Sequence, residues 1–358
     1  MPNIEMNKET KIYFIGRKQG VGLRRYRLSH LENRRRFEPE GLKDAKDKIK
    51  QTRFIQNADV IWVRVRPEHT KDKQRHLIEE RLKNIRGKAP IINDISIFDN
   101  YDCKDITFDL WSNAGVTCPS YIKINAKEGK HNISQEVEKI HTFISIHGKM
   151  FLRTNNETAA NGMFLLNKDS TKIEIEYALK SLIQRCESFH NTRKATNIVG
   201  VKFISSESGS GFQDLYRVHV LFGKILSYYA VTSHLDIFHN IDMGGNDLDR
   251  FIELNRDLCE RMSKIKQNVL KAAKVLNCNL GAVEFFIQNN ELIFLELNPM
   301  WGGHASKFGF GNDKMQAYLK KNRNQLIKLI PNIYIFMDRR TYYKDLFQWI
   351  HYYCSTNL

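Results

Sequence analysis

Two acids near the C-terminal end of the chain stand where acids are costly. Glu284 lies between Val283 and Phe285, and Glu296 between Leu295 and Leu297. The apolar runs 282–287 and 292–297 flank Gln288-Asn289-Asn290-Glu291, a pattern that predicts a β-hairpin. Side chains alternate along a strand, so the two carboxylates share a face only if the register pairs 284 with 296. A three- or five-residue loop does that, whereas a two-residue Asn-Asn turn sends them to opposite faces; the longer loop is expected. Paired carboxylates lie ~5 Å apart. Their repulsion is about 3 kcal/mol at an effective dielectric of about 20, before any cost of desolvation. A cation must offset it. Asn298 adds an amide oxygen on the same side. Two carboxylates and one amide oxygen, with positions left open, suit Mg²⁺ shared with substrate phosphates. The alternative is a hairpin whose glutamates face water or pair with lysines.

The elements that must position these groups follow in order. KIYFIG (11–16) predicts a first strand, followed by Gly16, Gly20 and Gly22 and a basic stretch, 23–37, expected as helix. The glycine spacing is not GxGxxG, so no dinucleotide site is assigned. Positions 17–36 hold eight basic residues against one acid, Glu32. They suit either a solvated helix face or an anion-binding face. Strands are predicted at 58–67 and 89–93 around a helix at about 69–84, giving a parallel α/β unit. Arg64 and Arg66 end the middle strand, where open parallel sheets place ligands, and are candidates for a substrate carboxylate. A helix from about Asp105 to Ala114 ends at Gly115, with Lys104 just ahead of it. Two strands surround a polar loop in 149–166, a helix follows at 173–189, and a strand at 197–204. A strand holding Asp214 and Arg217 comes next. Arg217 alternates with Val218 and Val220, so it points away from them. Leu258, Met262, Ile265, Val269, Ala272 and Leu276 recur at helical spacing and deliver the chain to Gly281.

With 358 residues the chain is long enough for two or three subdomains. Its 42% hydrophobic and 27% charged content suit a soluble globular protein. No run approaches the ~18 apolar residues of a transmembrane helix. The N-terminus has no apolar h-region, so no secretory signal is expected. Six cysteines without a CxxC pair point to reduced thiols and a cytoplasmic protein. The net charge of +16 argues for anionic partners. His219, His234, His239 and His304 show no zinc-ligand spacing.

Glu284, then Glu296-x-Asn298 on the next strand, followed by Pro299 and Gly302-Gly303, resemble the metal-binding end of the ATP-grasp family. The resemblance implies an α/β ATP-grasp fold: an N-terminal parallel α/β domain (1–95), a central lid subdomain (96–196) and a C-terminal subdomain carrying the metal site (197–358). It implies metal ligation by Glu284, Glu296 and Asn298, and phosphate contacts from Lys104, Arg153 and Arg217. Adenine would meet the backbone of Lys202, Phe203 and Ile204. Gly302, Gly303 and His304 would lie beside substrate. Departures are visible as well. Arg153 stands where the family has a lysine, only Gly162 stands for the lid glycines, and Lys202 occupies a usually acidic position. Asp214 and Arg217 are separated by one residue more than the commonest spacing, and Met300 replaces an arginine.

The activity implied is ATP-dependent carboxylate–amine ligation through an acyl-phosphate, with ATP and Mg²⁺ (two ions, Mn²⁺ as substitute). The substrates would be small-molecule or peptide acids and amines, some of them acidic, on a chain that could form homodimers and has no membrane role. Two rivals are a weakened ATP-binding sensor or scaffold of the same fold, and a basic nucleic-acid-binding module; sparse aromatics near the basic stretch disfavour the latter.

Overall fold

The structure is a computed structural model and describes residues 10, 12–16, 35–37, 58–64, 72–125, 132–157, 162–189, 197–205, 211–235, 248–299, 313–333 and 339–357. Three four-stranded sheets organise it. The first is parallel and contains β1 (Ile12–Gly16), β2 (Arg35–Phe37) and β3 (Val60–Arg64). Helix α1 (Asp72–Lys83) leads to β4 (Ile91–Ile92), and the order is β2-β1-β3-β4. Ile15 and Val60 to Val63 are buried, as strands covered on both faces require. Ile78 and Leu82, four apart on α1, are also buried. One expectation is corrected here. Arg35–Phe37, read from the sequence as the end of a helix, is strand, hydrogen-bonded in parallel to β1. Backbone pairing to an existing strand outweighs the good helix propensity of arginine, which counts for little summed over so short a segment.

A short helix, α2 (Phe98–Asp102), precedes α3 (Lys104–Asn113). Helix α3 ends as its sequence demands, at Ala114 and then Gly115 with φ +64°. The second sheet holds β5 (Tyr121–Ile124), β6 (Lys149–Thr154), β7 (Met163–Asn167) and β8 (Ile198–Lys202), antiparallel in the order β5-β8-β6-β7. Between its strands run α4 (Ile133–His147) and α5 (Lys172–Phe189), which bury Ile140, Leu179, Leu182, Met150 and Leu152 against one face. Gly200 permits the close approach at the sheet centre: a Cβ there would sit 2.2 Å from Met150 Cε.

The third sheet, β10-β9-β11-β12, is antiparallel: β9 (Gln213–Leu221), β10 (Lys224–Ser233), β11 (Leu280–Gln288) and β12 (Glu291–Asn298). Helix α6 (Leu248–Val275) covers one face through Leu254, Leu258, Val269 and Ala272. Among the described residues three helices follow: α7 (Asp313–Lys321), α8 (Arg323–Leu329) and α9 (Arg339–Asn357). Leu346, Phe347 and Ile350 of α9 pack with Leu215, Leu226 and Tyr229. Among the described residues no helix is long and apolar enough to cross a membrane.

The β11–β12 hairpin corrects a second expectation. Its turn is the two-residue Asn289-Asn290, with φ of 50° and 60°, the positive pair a tight type I′ turn needs. From Gln288↔Glu291 to Phe285↔Phe294 the ladder is regular. Continued unchanged, it would set Glu284 opposite Leu295 and drive Glu296 into the core. The register instead shifts between Phe285 and Glu284, a β-bulge that absorbs Leu295, and Glu284 pairs with Glu296. Phe294 and Leu297 therefore both stay buried although three residues apart. Burying Leu297 while keeping a carboxylate out of the core is what favours the bulge.

Phe285 is fully buried at the centre of this core, stacked on Tyr216 with ring centroids 5.6 Å apart. Phe285→Ala is expected to cost about 3–5 kcal/mol of stability, read from the denaturant midpoint; a loss under about 1 kcal/mol would show that the hairpin is not packed as described.

Candidate active site

The charged row begins on β9. Arg217 stands opposite Glu284, and Glu284 opposite Glu296, so the three side chains line one face across β9, β11 and β12. The other face of these strands carries Val218, Val283 and Phe285 against α6, as the alternation around Arg217 implies. The Arg217 guanidinium donates to Glu284 Oε1 in a pair of which both members are buried. Asn298, two residues beyond Glu296, donates from Nδ2 to Glu296 Oε1 at 2.6 Å and to Glu284 Oε1 at 3.3 Å.

Two more cations come from other elements. Lys104 is the first residue of α3, where a positive charge opposes the helix dipole, and its Nζ reaches Glu296 Oε2 at 2.6 Å. Helix α3 is held in place by Trp111, whose Nε1–H donates to Ala272 O at 2.9 Å. Just beyond α3, Thr117 O accepts from Phe294 N of β12 at 2.9 Å, so the helix lies beside the hairpin that carries the acids. Arg153 closes β6. Its Nη2 donates to Glu157 O at 2.6 Å and its Nε to Thr154 O at 3.2 Å. Burial lowers its pKa, against the opposing pull of Glu296 and Glu157. Of the six residues that the resemblance assigned to one place, Lys104, Arg217, Glu284, Glu296 and Asn298 form one bonded cluster, and Arg153 is close enough for its charge to act on Glu296.

The acids differ in environment. Burial foremost, and the Glu296 charge after it, raise Glu284 to about 7 against the opposing pull of Arg217. For Glu296 burial acts upward too, but the Lys104 ammonium and the Asn298 amide outweigh it and hold its carboxyl below the usual range. Its side chain is 33% exposed against 10% for Glu284. Part of the like-charge repulsion therefore persists despite the neighbouring cations, which fits a divalent ion as the additional counter-charge. Ligation by Asn298 would need its amide turned by half a rotation, since Nδ2 now faces both acids. Among the described residues no group of three or more His, Cys, Asp or Glu could hold a metal. Among the described residues, an ion here would depend on these two glutamates, on Asn298 with its amide turned, and on oxygens brought by a ligand. His219 belongs to no such group; it is buried, bonded through Nδ1 to Ser227 Oγ at 2.7 Å, and burial holds its pKa well below the ordinary value.

The remaining sequence candidates fall as follows. At the end of β8 the Lys202 N–H donates to Ser120 O at 2.8 Å and the Phe203 N–H to Lys149 O at 2.9 Å, so the sheet takes both; Ile204 is buried next to them. The Lys202 side chain shares the face of its partner Met150, towards α4 and α5. Arg64 ends β3 in register with Gly16. Arg66, Gly302, Gly303 and His304 lie outside the described residues, as does most of the basic 17–36 stretch. Asp214 is structural: it accepts from Thr232 Oγ1 at 2.7 Å and pairs with Arg250, bolting α6 to β9.

Sequence reasoning missed the clasp at the base of the hairpin. Asn93 Nδ2 donates to Leu280 O at 2.7 Å and to Pro299 O at 3.3 Å, so one side chain joins the start of β11 to the residue after Asn298. Asn279 answers it, accepting from Asn93 N at 2.9 Å and donating to Ile91 O at 2.8 Å. The first sheet is thereby tied to the acid-bearing hairpin. The only signal was an asparagine closing an apolar run at 89–93, a weak one.

No protein-family model matches the sequence, and no curated protein does. Solved structures do resemble the fold. D-alanine–D-alanine ligase from Bacillus anthracis complexed with ATP superposes with a TM-score of 0.51 at 12% identity, over 93% of this chain and 99% of that one. The ATP-grasp ligase PsnB complexed with minimal precursor, Mg and ADP gives 0.50 at 13% identity, over 91% and 100%. N5-Carboxyaminoimidazole synthetase from Staphylococcus aureus complexed with ADP gives 0.50 at 14%, over 84% and 73%. At such identities the likeness is one of fold.

The raised Glu284 carboxyl predicts a pH signature. Its folded value of about 7 lies above the ordinary 4.5, so the stability it contributes is fully present below the unfolded value and is lost as pH rises through about 7. Urea unfolding of the metal-free protein should show a loss of roughly 3 kcal/mol between about pH 5 and 8. Glu284→Gln should flatten that slope. An equally steep profile in the variant would refute the assignment.

Proposed function

We propose, starting from the ATP-grasp fold that this chain has, that it is an ATP-dependent ligase joining a carboxylate to an amine. The observation that carries the reading is the convergence of Lys104 and Arg217, from separate parts of the fold, on Glu284, Glu296 and Asn298, with the Arg153 charge acting on Glu296 from a third part. Three fixed cations beside two acids suit a polyanion that arrives with its own divalent metal. That solved neighbours are complexed with ATP, or with Mg and ADP, supports the choice of nucleotide.

Glu284, Glu296 and, with its amide turned, Asn298 would hold Mg²⁺, which when bound screens phosphate charge. Lys104, Arg153 and Arg217 supply fixed positive charge to the transferring phosphoryl group. The substrate carboxylate oxygen bonds to the γ-phosphorus as the bond to the ADP oxygen breaks. The amine nitrogen then bonds to the acyl carbon, the C–O bond to phosphate breaks, and the amine's proton leaves to solvent. No side chain need become covalently attached. An acidic acceptor suits the net charge of +16, and we place the reaction in the cytoplasm.

One observation favours a second reading, a nucleotide-binding sensor of the same fold. Arg153 is tied to two carbonyls of its own loop, so its charge is less free to follow a moving phosphate than a lysine's.

ADP release screened over amino acids and acidic peptides separates the two readings. A ligase releases ADP only with an acid and amine present. Glu296→Gln should cut that rate by at least about a hundredfold while leaving the chain folded by circular dichroism. Parental turnover in Glu296→Gln would refute the metal assignment. Heat stabilisation by Mg-ATP without acceptor-dependent ADP release would favour the sensor.

A further inference from the structure

Lys104 matters to the proposed chemistry through its ammonium, yet its backbone is held by residues that the reading above does not use. Asp105, the next residue, is buried, and both its carboxylate oxygens are engaged. Oδ1 accepts from Asn155 Nδ2 at 2.8 Å and Oδ2 from Asn197 Nδ2 at 3.3 Å. Asn155 lies two residues past Arg153, and Asn197 immediately precedes β8. The two asparagines also grip each other. Asn197 N donates to Asn155 Oδ1 at 3.0 Å, and Asn155 N to Asn197 O at 2.8 Å. Asn155 O completes the circuit by accepting the Lys104 N–H at 2.9 Å.

The side-chain amide and carbonyl of Asn155 go to α3 and to Asn197, and its backbone carbonyl and N–H go to the same two places. Such closure is unusual for a patch whose only task is to fill space, because apolar residues would do that without desolvating a carboxylate. The location is equally specific. Helix α3 packs on the third sheet and α6 through Trp111, while Phe108 and Asp109 on its later turns meet Tyr121 of β5. β6 and β8 belong to the second sheet. The three polar residues therefore sit where the two meet, one residue from the lysine that bonds Glu296.

We propose that Asp105, Asn155 and Asn197 form a positioning knot that fixes Lys104 to the second sheet. The lysine then moves with the strand that carries Arg153, and the two cations address the nucleotide phosphates as a unit. This rests on the nucleotide reading above. None of the three knot residues touches the phosphates; they act through the Lys104 backbone.

A double-mutant cycle tests it, with Mg-ATP as the probe and calorimetric affinity as the readout. Asn155→Ala should weaken Mg-ATP binding by about tenfold. Asn197→Ala, which leaves the Asn155–Asp105 bond in place and is the milder change, should act in the same direction. In a Lys104→Ala background the Asn155→Ala effect should shrink below about twofold, since the group being positioned is gone. A full, additive loss in that background would overturn the proposal by showing that the knot acts on general stability and not on Lys104. Unchanged affinity in both single variants would overturn it too, while leaving the nucleotide reading intact. If the unaltered chain fails to bind Mg-ATP, the nucleotide reading falls first and this inference with it.

Discussion

The structure turns on two carboxylates held side by side on one sheet face, each answered by a cation from elsewhere. Arg217 meets Glu284 from the neighbouring strand, and Lys104 meets Glu296 from the start of a helix almost two hundred residues earlier in the chain. Unpaired, such acids would repel each other and lose their hydration. Paired, they still leave Glu284 raised to about 7, a sign that the compensation is incomplete. The architecture around them can be understood as the means of keeping this arrangement in place.

Three parts of the fold share that task. The Arg250–Asp214 pair and the apolar face of α6 hold β9, and so Arg217, in position. The reciprocal Asn93–Asn279 bonds join the first sheet to the base of the hairpin, where the acids lie. Asp105, Asn155 and Asn197 join the second sheet to α3, where Lys104 begins. The last two junctions use short amide or carboxylate side chains bonded across the boundary. Such junctions specify distance and angle more narrowly than apolar packing does, at the expense of some stability.

The loop after β6 follows the same logic. Here, where the sequence keeps only Gly162 for the lid glycines of the family it resembles, Glu157 fastens the start of the loop. It takes two bonds from Arg185, at 2.6 and 2.7 Å, and one from Thr154 Oγ1 at 2.8 Å. Gly162 is required beside it, since a Cβ there would lie 2.1 Å from the Glu157 carboxylate, and its φ is +56°. Ion pairing thus fixes the start of the loop at Glu157, whose carbonyl in turn holds Arg153.

Much was legible in the sequence because it depends on local periodicity or on chemical type. The helix ending at Gly115, the long amphipathic α6, the alternation that turns Arg217 away from Val218, and the anomaly of acids flanked by apolar residues need no knowledge of distant contacts. What escaped was decided by pairing across the chain. The Arg35–Phe37 segment is too short to declare a period, and only its bonding to β1 makes it a strand. The Asn-Asn turn and the bulge at Leu295 are two opposite one-residue shifts, and the register that joins Glu284 to Glu296 emerges only from their combination. Residue types announced that these acids needed a common partner. The tertiary structure alone determined that they share a face, because burial of Leu297 selects the register only once the core it enters exists.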